Sequence, residues 1–397
     1  MKQRPPLPRN VWVLGFVSLL MDLSSEIYHA LLPAFVTVVL GLPATALGAI
    51  DGIAEGTANF GKLVSGRLSD RTRQRKPLIV AGYGIGALSK PLFPLATAAV
   101  PLMAARFADR VGKGIRVSPR DAMIADETEP SLRGRAFGLR QSLDTVGALL
   151  APVAAIGLMI LLSNNVRAVF WIAVLPALAS VLLAWIALRE PSRHLEPAAA
   201  TPILAGFRNL APATRRLLGI GFLFALARFS ESFLILKGME EGLGATWSPL
   251  VLVLFNLAFF ALAYPAGSWS DRTEPRTILA LGIAVLIAGN LLLGLSSGLA
   301  ALVGGVFLWG AHMALTQGIF ARMIADSAPG ELRASSFGAF WFVSGIGTLL
   351  ASLGAGMTWD RYGSGATFLA SAGIAALALA MLSMVSPAPS ARKPGSP

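Results

Sequence analysis

The chain has 397 residues, 55% of them hydrophobic and only 14% charged, with a mean hydropathy of +0.66. That balance is too apolar for a soluble domain. The net charge of +12 is not a nucleic-acid signature either, because most Lys and Arg fall in every second connection between apolar runs. Cysteine is absent, which excludes disulfides and thiol chemistry.

Runs such as AVFWIAVLPALASVLLAWIAL (168–188) and ILALGIAVLIAGNLLLGL (278–295) recur along the chain. About 20 apolar residues span the ~30 Å hydrocarbon core as a helix, so the pattern predicts an all-α integral membrane protein. About twelve helices are expected, at 11–40, 45–68, 77–99, 101–122, 135–161, 166–188, 216–238, 247–269, 276–297, 300–323, 335–357 and 364–386. The basic start (Lys2, Arg4, Arg9) leads into an apolar run too long and too acidic for a signal peptide.

The first helix carries Asp22 and Glu26 one turn apart, with Ser24, Ser25 and His29 nearby. The second carries Asp51 and Glu55 at the same spacing, and the third has Lys90 before Pro91, where a kink would free a carbonyl. A carboxylate moved between an apolar site and a cationic one takes up and releases a proton. Glu26 and Glu55, then Asp22 and Asp51, are therefore candidates for proton coupling. The competing reading is a static salt-bridge network that stiffens this half.

The fourth helix reads ARFADRVGKGIRVSPRD (105–121). Arg106, Arg110, Lys113, Arg116 and Arg120 follow steps of 4, 3, 3 and 4, which confines them to an arc of roughly 120°. Charge in hydrocarbon costs about 2.5–3.5 kcal/mol per residue, so the stripe must face the protein interior or a watery cavity. Arg116 and Arg120 near one end suit snorkelling or lipid phosphates. Arg106, Arg110 and Lys113 lie deeper and are candidates for a substrate cavity or coupling site, along with Lys90. Gly112 and Gly114 fall off the stripe and allow close helix packing.

The fifth helix adds Arg140 and Asp144. The segment REPSRHLEPAAATPILAGFRNLAPATR (189–215) is the longest connection, rich in Pro and Ala. It reads as a linker, which divides the chain into an N-terminal bundle (1–190), a linker (191–215) and a C-terminal bundle (216–397) of six helices each. In the seventh helix Arg228 and Glu231 sit three apart, where they can neutralise each other or face the cavity. The tenth offers His312, Thr316 and Gln317, and Trp309, Phe340, Trp341 and Phe342 are aromatics that could line a pocket.

One side of the bundle collects Arg71, Arg73, Arg75, Lys76, Arg133, Arg135, Arg189, Arg193, Arg215, Arg216, Arg272, Arg276 and Arg333, against Arg167, Lys237 and Arg361 on the other. The positive-inside rule places both termini in the cytoplasm, and the expected location is the bacterial inner membrane.

The halves also repeat. GRLSDRT (66–72) recurs as GSWSDRT (267–273), and MIADETEPSLRGRAFGLRQSLDTVGALLA (123–151) as MIADSAPGELRASSFGAFWFVSGIGTLLA (323–351), at offsets of 201 and 200 residues. A parallel repeat of six-helix halves is an architecture of secondary transporters, with the solute site between the halves near mid-membrane.

The loop built on Gly66, Leu68, Asp70 and Arg71, echoed by Gly267, Asp271 and Arg272, resembles the signature loop of the major facilitator superfamily. Arg73 stands where that family usually has Gly, and Trp269 replaces the second Leu. GALLAPVAAIG (147–157) is similar to the family's antiporter motif in a small-residue version. The resemblance implies two pseudo-symmetric six-helix bundles, gating by the two loops, alternating access and often a coupling Arg in the fourth helix. The block RVGKGIRVSPRDA resembles a bacterial permease subgroup.

The expected function is secondary active transport of a small organic solute, with proton-coupled efflux set against uptake or facilitated transport of an organic anion. Sodium coupling stays open beside protons. The expected partners are the solute, protons and membrane lipids, with no nucleic acid, no cofactor and a monomeric chain. An enzyme would need a nucleophile with a base or a metal site, yet His29, His194 and His312 are scattered. Copper would suit His312 and Met313, but no ligand spacing supports it. No ATP-binding loop is present.

Overall fold

The computed structural model describes residues 6–72, 74–190, 212–270, 273–316, 319–327 and 333–384. Among them the chain forms twelve successive membrane helices. The first half comprises α1 (Arg9–Ala34, prolonged by a wider turn over Phe35–Val39), α2 (Ala44–Thr72), α3 (Arg75–Ser89), α4 (Ala99–Glu127), α5 (Arg133–Leu161) and α6 (Val166–Ala187). The second half opens with α7, in two pieces, α7a (Pro212–Leu226) and α7b (Ser232–Gly238). It continues with α8 (Leu250–Ser270), α9 (Pro275–Leu295) and α10 (Leu299–Thr316, then Ile319–Ser327). The helical run Arg333–Ser383 holds α11 and α12, divided at Gly363, whose φ of 85° suits glycine.

Most sequence-predicted ends agree within a few residues. Two differ for local reasons. Helix α3 stops at Ser89, because Pro91 cannot continue the ladder, and a short turn over Leu92–Leu95 finishes the crossing. Helix α11 runs beyond the expected 357, because the break falls at Gly363.

The halves share one packing plan. Helix α4 sits between α2 and α3, as α10 sits between α8 and α9. Helix α1 packs on α5 and α6, and α7 packs on the α11–α12 run. Across the halves, α2 lies along α11 and α5 touches α8. The contact between α2 and α11 is backbone to backbone: a Cβ on Gly48 would collide with the Ser352 carbonyl, and one on Gly356 would come within 2.5 Å of the Ala44 carbonyl. Within the first half, Gly112 and Gly114 bring α4 against Gly82 and Gly61.

Eight described helical stretches are long and apolar enough to cross a membrane. Helices α2, α4 and α7 are not among them. The first two carry charges and the third is broken, and these three helices build the site below.

Candidate functional site

The cations of α4 meet acids from its neighbours. Arg106 pairs with Asp51 of α2 at 3.2 Å, and Arg110 with Glu55 of α2 at 3.4 Å and with Asp109 at 3.7 Å. Lys90, at the α3 kink and fully buried, lies 2.9 Å from both Asp109 and the Ser25 hydroxyl. Tyr28 donates to the Phe170 carbonyl at 2.6 Å and more weakly to the Lys90 carbonyl, which also accepts from Phe93 N. Nearer the basic end, Arg120 and Arg140 share Asp121, and Arg140 holds Asp144 at 2.8 Å. Arg116 lies over the Tyr83 ring. The charged stripe thus faces the interior of its own half, where only pairing makes ionised side chains tolerable.

Not every predicted residue joins this network. Glu26 pairs with His29, on its own helix, at 3.2 Å. Asp22 and Lys113 are half-buried and form no ion pair among the described residues. Asp51 is 2% exposed and Glu55 43%, so the two acids of α2 differ sharply in burial. Gln317, Asp271 and Arg272 lie outside the described residues, as do the side chains of Asp70 and Arg71, while Gly66 falls within α2. Gly267 sits on an exposed face of α8.

Asp51 does more than neutralise Arg106. Its second oxygen accepts from the hydroxyls of Ser230 (2.7 Å) and Ser232 (2.5 Å) in α7. One buried carboxylate therefore ties the two halves together. Further links lie toward the end that carries the α1–α2 connection. Asp360 of α11 accepts from the backbone of Ala44 (2.8 Å) and Thr45 (2.7 Å) and from the Thr45 hydroxyl (2.6 Å). Asn164 and Thr246 join the α5–α6 and α7–α8 connections.

The break in α7 corrects one sequence expectation. Arg228 and Glu231 do not neutralise each other, because residues 227–231 leave the helix. Arg228 instead donates to Met313 Sδ at 3.0 Å and lies over the Phe224 ring. Neither it nor Glu231 has an ion partner among the described residues. The backbone freed by the break is taken up by distant hydroxyls. Ser230 N donates to Ser352 Oγ at 3.2 Å, and Ser371 Oγ donates to the Ala227 carbonyl at 2.5 Å. Asn290 links Ser371 in turn to Trp309 Nε1.

Asn290, Ser230, Ser232, Ser352 and Ser371 escaped the sequence reading, since isolated polar residues in apolar runs carry no spacing signal. Asp126 escaped it too, although it lies in the repeated MIAD; it pairs with Arg75 at 3.2 Å and fastens α4 to α3.

The aromatics divide. Trp309 and Phe340 are core residues. Trp341 and Phe342 border an apolar groove of about 760 Å³ with Ile53, Phe60, Phe107 and Leu349. This groove lies on the side of α4 away from its charges, and its lining suits lipid chains rather than ions.

Two pseudo-symmetric six-helix bundles meeting around buried charges are the build of a multi-pass membrane transporter. A family model described as Major Facilitator Superfamily matches residues 14–352 and again 217–397, and the chain belongs to that superfamily. It is 29% identical over 361 residues to an uncharacterised MFS-type transporter of Methanocaldococcus jannaschii, covering 89% of both chains. It is 23% identical over 279 residues to the multidrug resistance protein MdtL of Escherichia coli, covering 68% of this chain and 69% of that one. Among solved structures, the nucleoside transporter NupG superposes with a TM-score of 0.81 at 14% identity, over 95% of this chain and 100% of the other. Membership implies membrane embedding and a small-molecule substrate, not enzymatic turnover.

Proposed function

We propose that this chain is a secondary active transporter that exports a small organic solute by alternating access, in exchange for protons. The observation that carries the reading is Asp51, which binds Arg106 in its own half and two serines in the other. Both attachments depend on its negative charge. A proton on Asp51 weakens both and favours the state in which the halves part, and linkage requires that parting in turn favours the proton. The other charged groups around Asp51 are His29 from α1 and Arg110 from α4. Glu26, Glu55 and Asp22 are the relay positions by which a proton reaches it.

The basic connections favour cytoplasmic termini in a bacterial inner membrane. The end fastened by Asp360 and Asn164 is then external, and this conformer faces the cytoplasm. The loops at Gly66–Asp70–Arg71 and Gly267–Asp271–Arg272 act as the opposite gate, and residues 191–215 link the bundles. The name of the distant MdtL relative supports export. Uptake or facilitated transport of an organic anion is the second reading, favoured by Lys113 and Arg228, cations without a carboxylate partner among the described residues.

The absence of native cysteine makes the test direct. Spin labels at Asn164→Cys and Thr246→Cys in nanodiscs report the separation of the external end. The distance should lengthen as pH falls, and stay long at every pH in Asp51→Asn. A distance that ignores pH in the wild type would sink the coupling.

A further inference from the structure

We propose that the break in α7 is the solute subsite, and that the solute is an amino-acid-like zwitterion with an apolar side group. Arg228 holds its carboxylate and Glu231 its ammonium. The inference rests on the transporter reading above and goes further by naming the substrate class.

The break is a maintained feature. Ser230 N and the Ala227 carbonyl, which a continuous helix would satisfy internally, are held by Ser352 and Ser371 from two other helices. Non-helical backbone at membrane depth is tolerated where it is buried in protein or lines a cavity. What the break presents is one cation and one anion. On an intact helix, residues three apart are neighbours and pair. Here no nitrogen of Arg228 lies within 4.0 Å of a carboxylate among the described residues, and both side chains are half-buried.

Charges at this depth demand partners. The α2 acids cannot serve, because Asp51 and Glu55 are engaged by Arg106 and Arg110. A solute with a single charge would compensate one of the two residues and strand the other. A zwitterion compensates both at once and adds no net charge to the bundle.

The surroundings fit an apolar side group. Arg228 stands 5.8 Å from the centre of the Phe224 ring, with Met313 beside it. Behind the same ring lies His312, fully buried. Ser230, between the two charged residues, also holds Asp51, so occupancy of the break bears directly on the tie between the halves.

Three probes with one skeleton test the class: L-phenylalanine, hydrocinnamate with only the carboxylate, and phenethylamine with only the ammonium. Each is added at equal concentration to the purified full chain in nanodiscs, and thermal unfolding is followed; a ligand of the folded state raises Tm by mass action. Phenylalanine should raise Tm by a few degrees and the other two by much less. Arg228→Gln and Glu231→Gln should each abolish the shift, and Arg228→Lys, which keeps the charge, should retain part of it.

A hydrocinnamate shift as large as that of phenylalanine and unaffected in Glu231→Gln would replace the zwitterion with an anion. A phenethylamine shift that survives Arg228→Gln would replace it with a cation. No shift from any probe, or a phenylalanine shift that survives both Gln variants, would overturn the subsite. The Asn164/Thr246 distance is measured in the same variants. A pH response that persists without binding discards the subsite alone, whereas its loss in the wild type discards the proton coupling proposed above.

Discussion

The two halves repeat one helix plan but carry their membrane-buried polarity in opposite ways. The first half carries it on side chains: α1 runs unbroken past Asp22 and Glu26, while α2 and α4 pair Asp51 with Arg106 and Glu55 with Arg110. The second half carries it largely in the backbone: α7 opens over 227–231, and neutral hydroxyls and an amide hold the loose groups. Ion pairs are costly to break but leave their helices intact. A hydroxyl-capped break costs less to rearrange and gives the chain a bending point. Repetition of one helix plan has thus yielded one half tied by ion pairs and one tied by hydroxyls.

The contrast is most exposed to failure at Arg106. Arg106→Ala leaves Asp51 buried without its cation and should cost about 3–5 kcal/mol in thermal or denaturant unfolding. A loss below about 1 kcal/mol would mean that charge pairing is not what stiffens the first half.

At the junction, replacing Ser230 and Ser232 together by Ala removes two hydrogen bonds to a charged group and spares Arg106. The expected effect, about 1.5–3 kcal/mol, should appear as a longer Asn164–Thr246 label distance rather than as global unfolding. Within the second half, Ser371→Ala should cost only about 1 kcal/mol, with faster amide exchange confined to residues near 227–231. Equal losses in Arg106→Ala and Ser371→Ala would erase the distinction.

The smallest effect lies at the surface. Hydrogen bonds from Lys237 Nζ (2.7 Å) and Gly298 N (2.5 Å) hold the Glu241 carboxyl below the ordinary glutamate value of 4.5. A lowered folded-state pKa stabilises above the unfolded value and is lost as pH falls through the folded one. Glu241→Gln should therefore cost less than about 1 kcal/mol at pH 7, and the gap to wild type should close in acid below pH 4.5.

Much of this was legible in the sequence because it is periodic. Apolar run lengths set the helices, the 4-3-3-4 spacing set the inward face of α4, and the repeated loops exposed the two halves. Two acids of α2 could be matched to the stripe by charge alone. The break in α7 could not be read: LARFSES (226–232) contains neither Pro nor Gly, and Ser352 and Ser371, which stabilise it, lie 122 and 144 residues from their partners. The spacing of Arg228 and Glu231 misled for the same reason, since it presumes the helix that tertiary contacts remove. The backbone contact at Gly48 was hidden too, because one glycine among many carries no sign of what approaches it.

The asymmetry of Asp51's partners has one more consequence. Its attachment within its own half is to a cation, and its attachment across the gap is to two alcohols. When the halves separate, Arg106 travels with Asp51, and the wall left behind carries only two alcohols. The released serines can turn back to carbonyls of their own chain, as hydroxyls in helices commonly do. The fastening can be undone and remade many times without the α7 face paying the solvation penalty of an unpartnered charge, which is what a part meant to cycle requires.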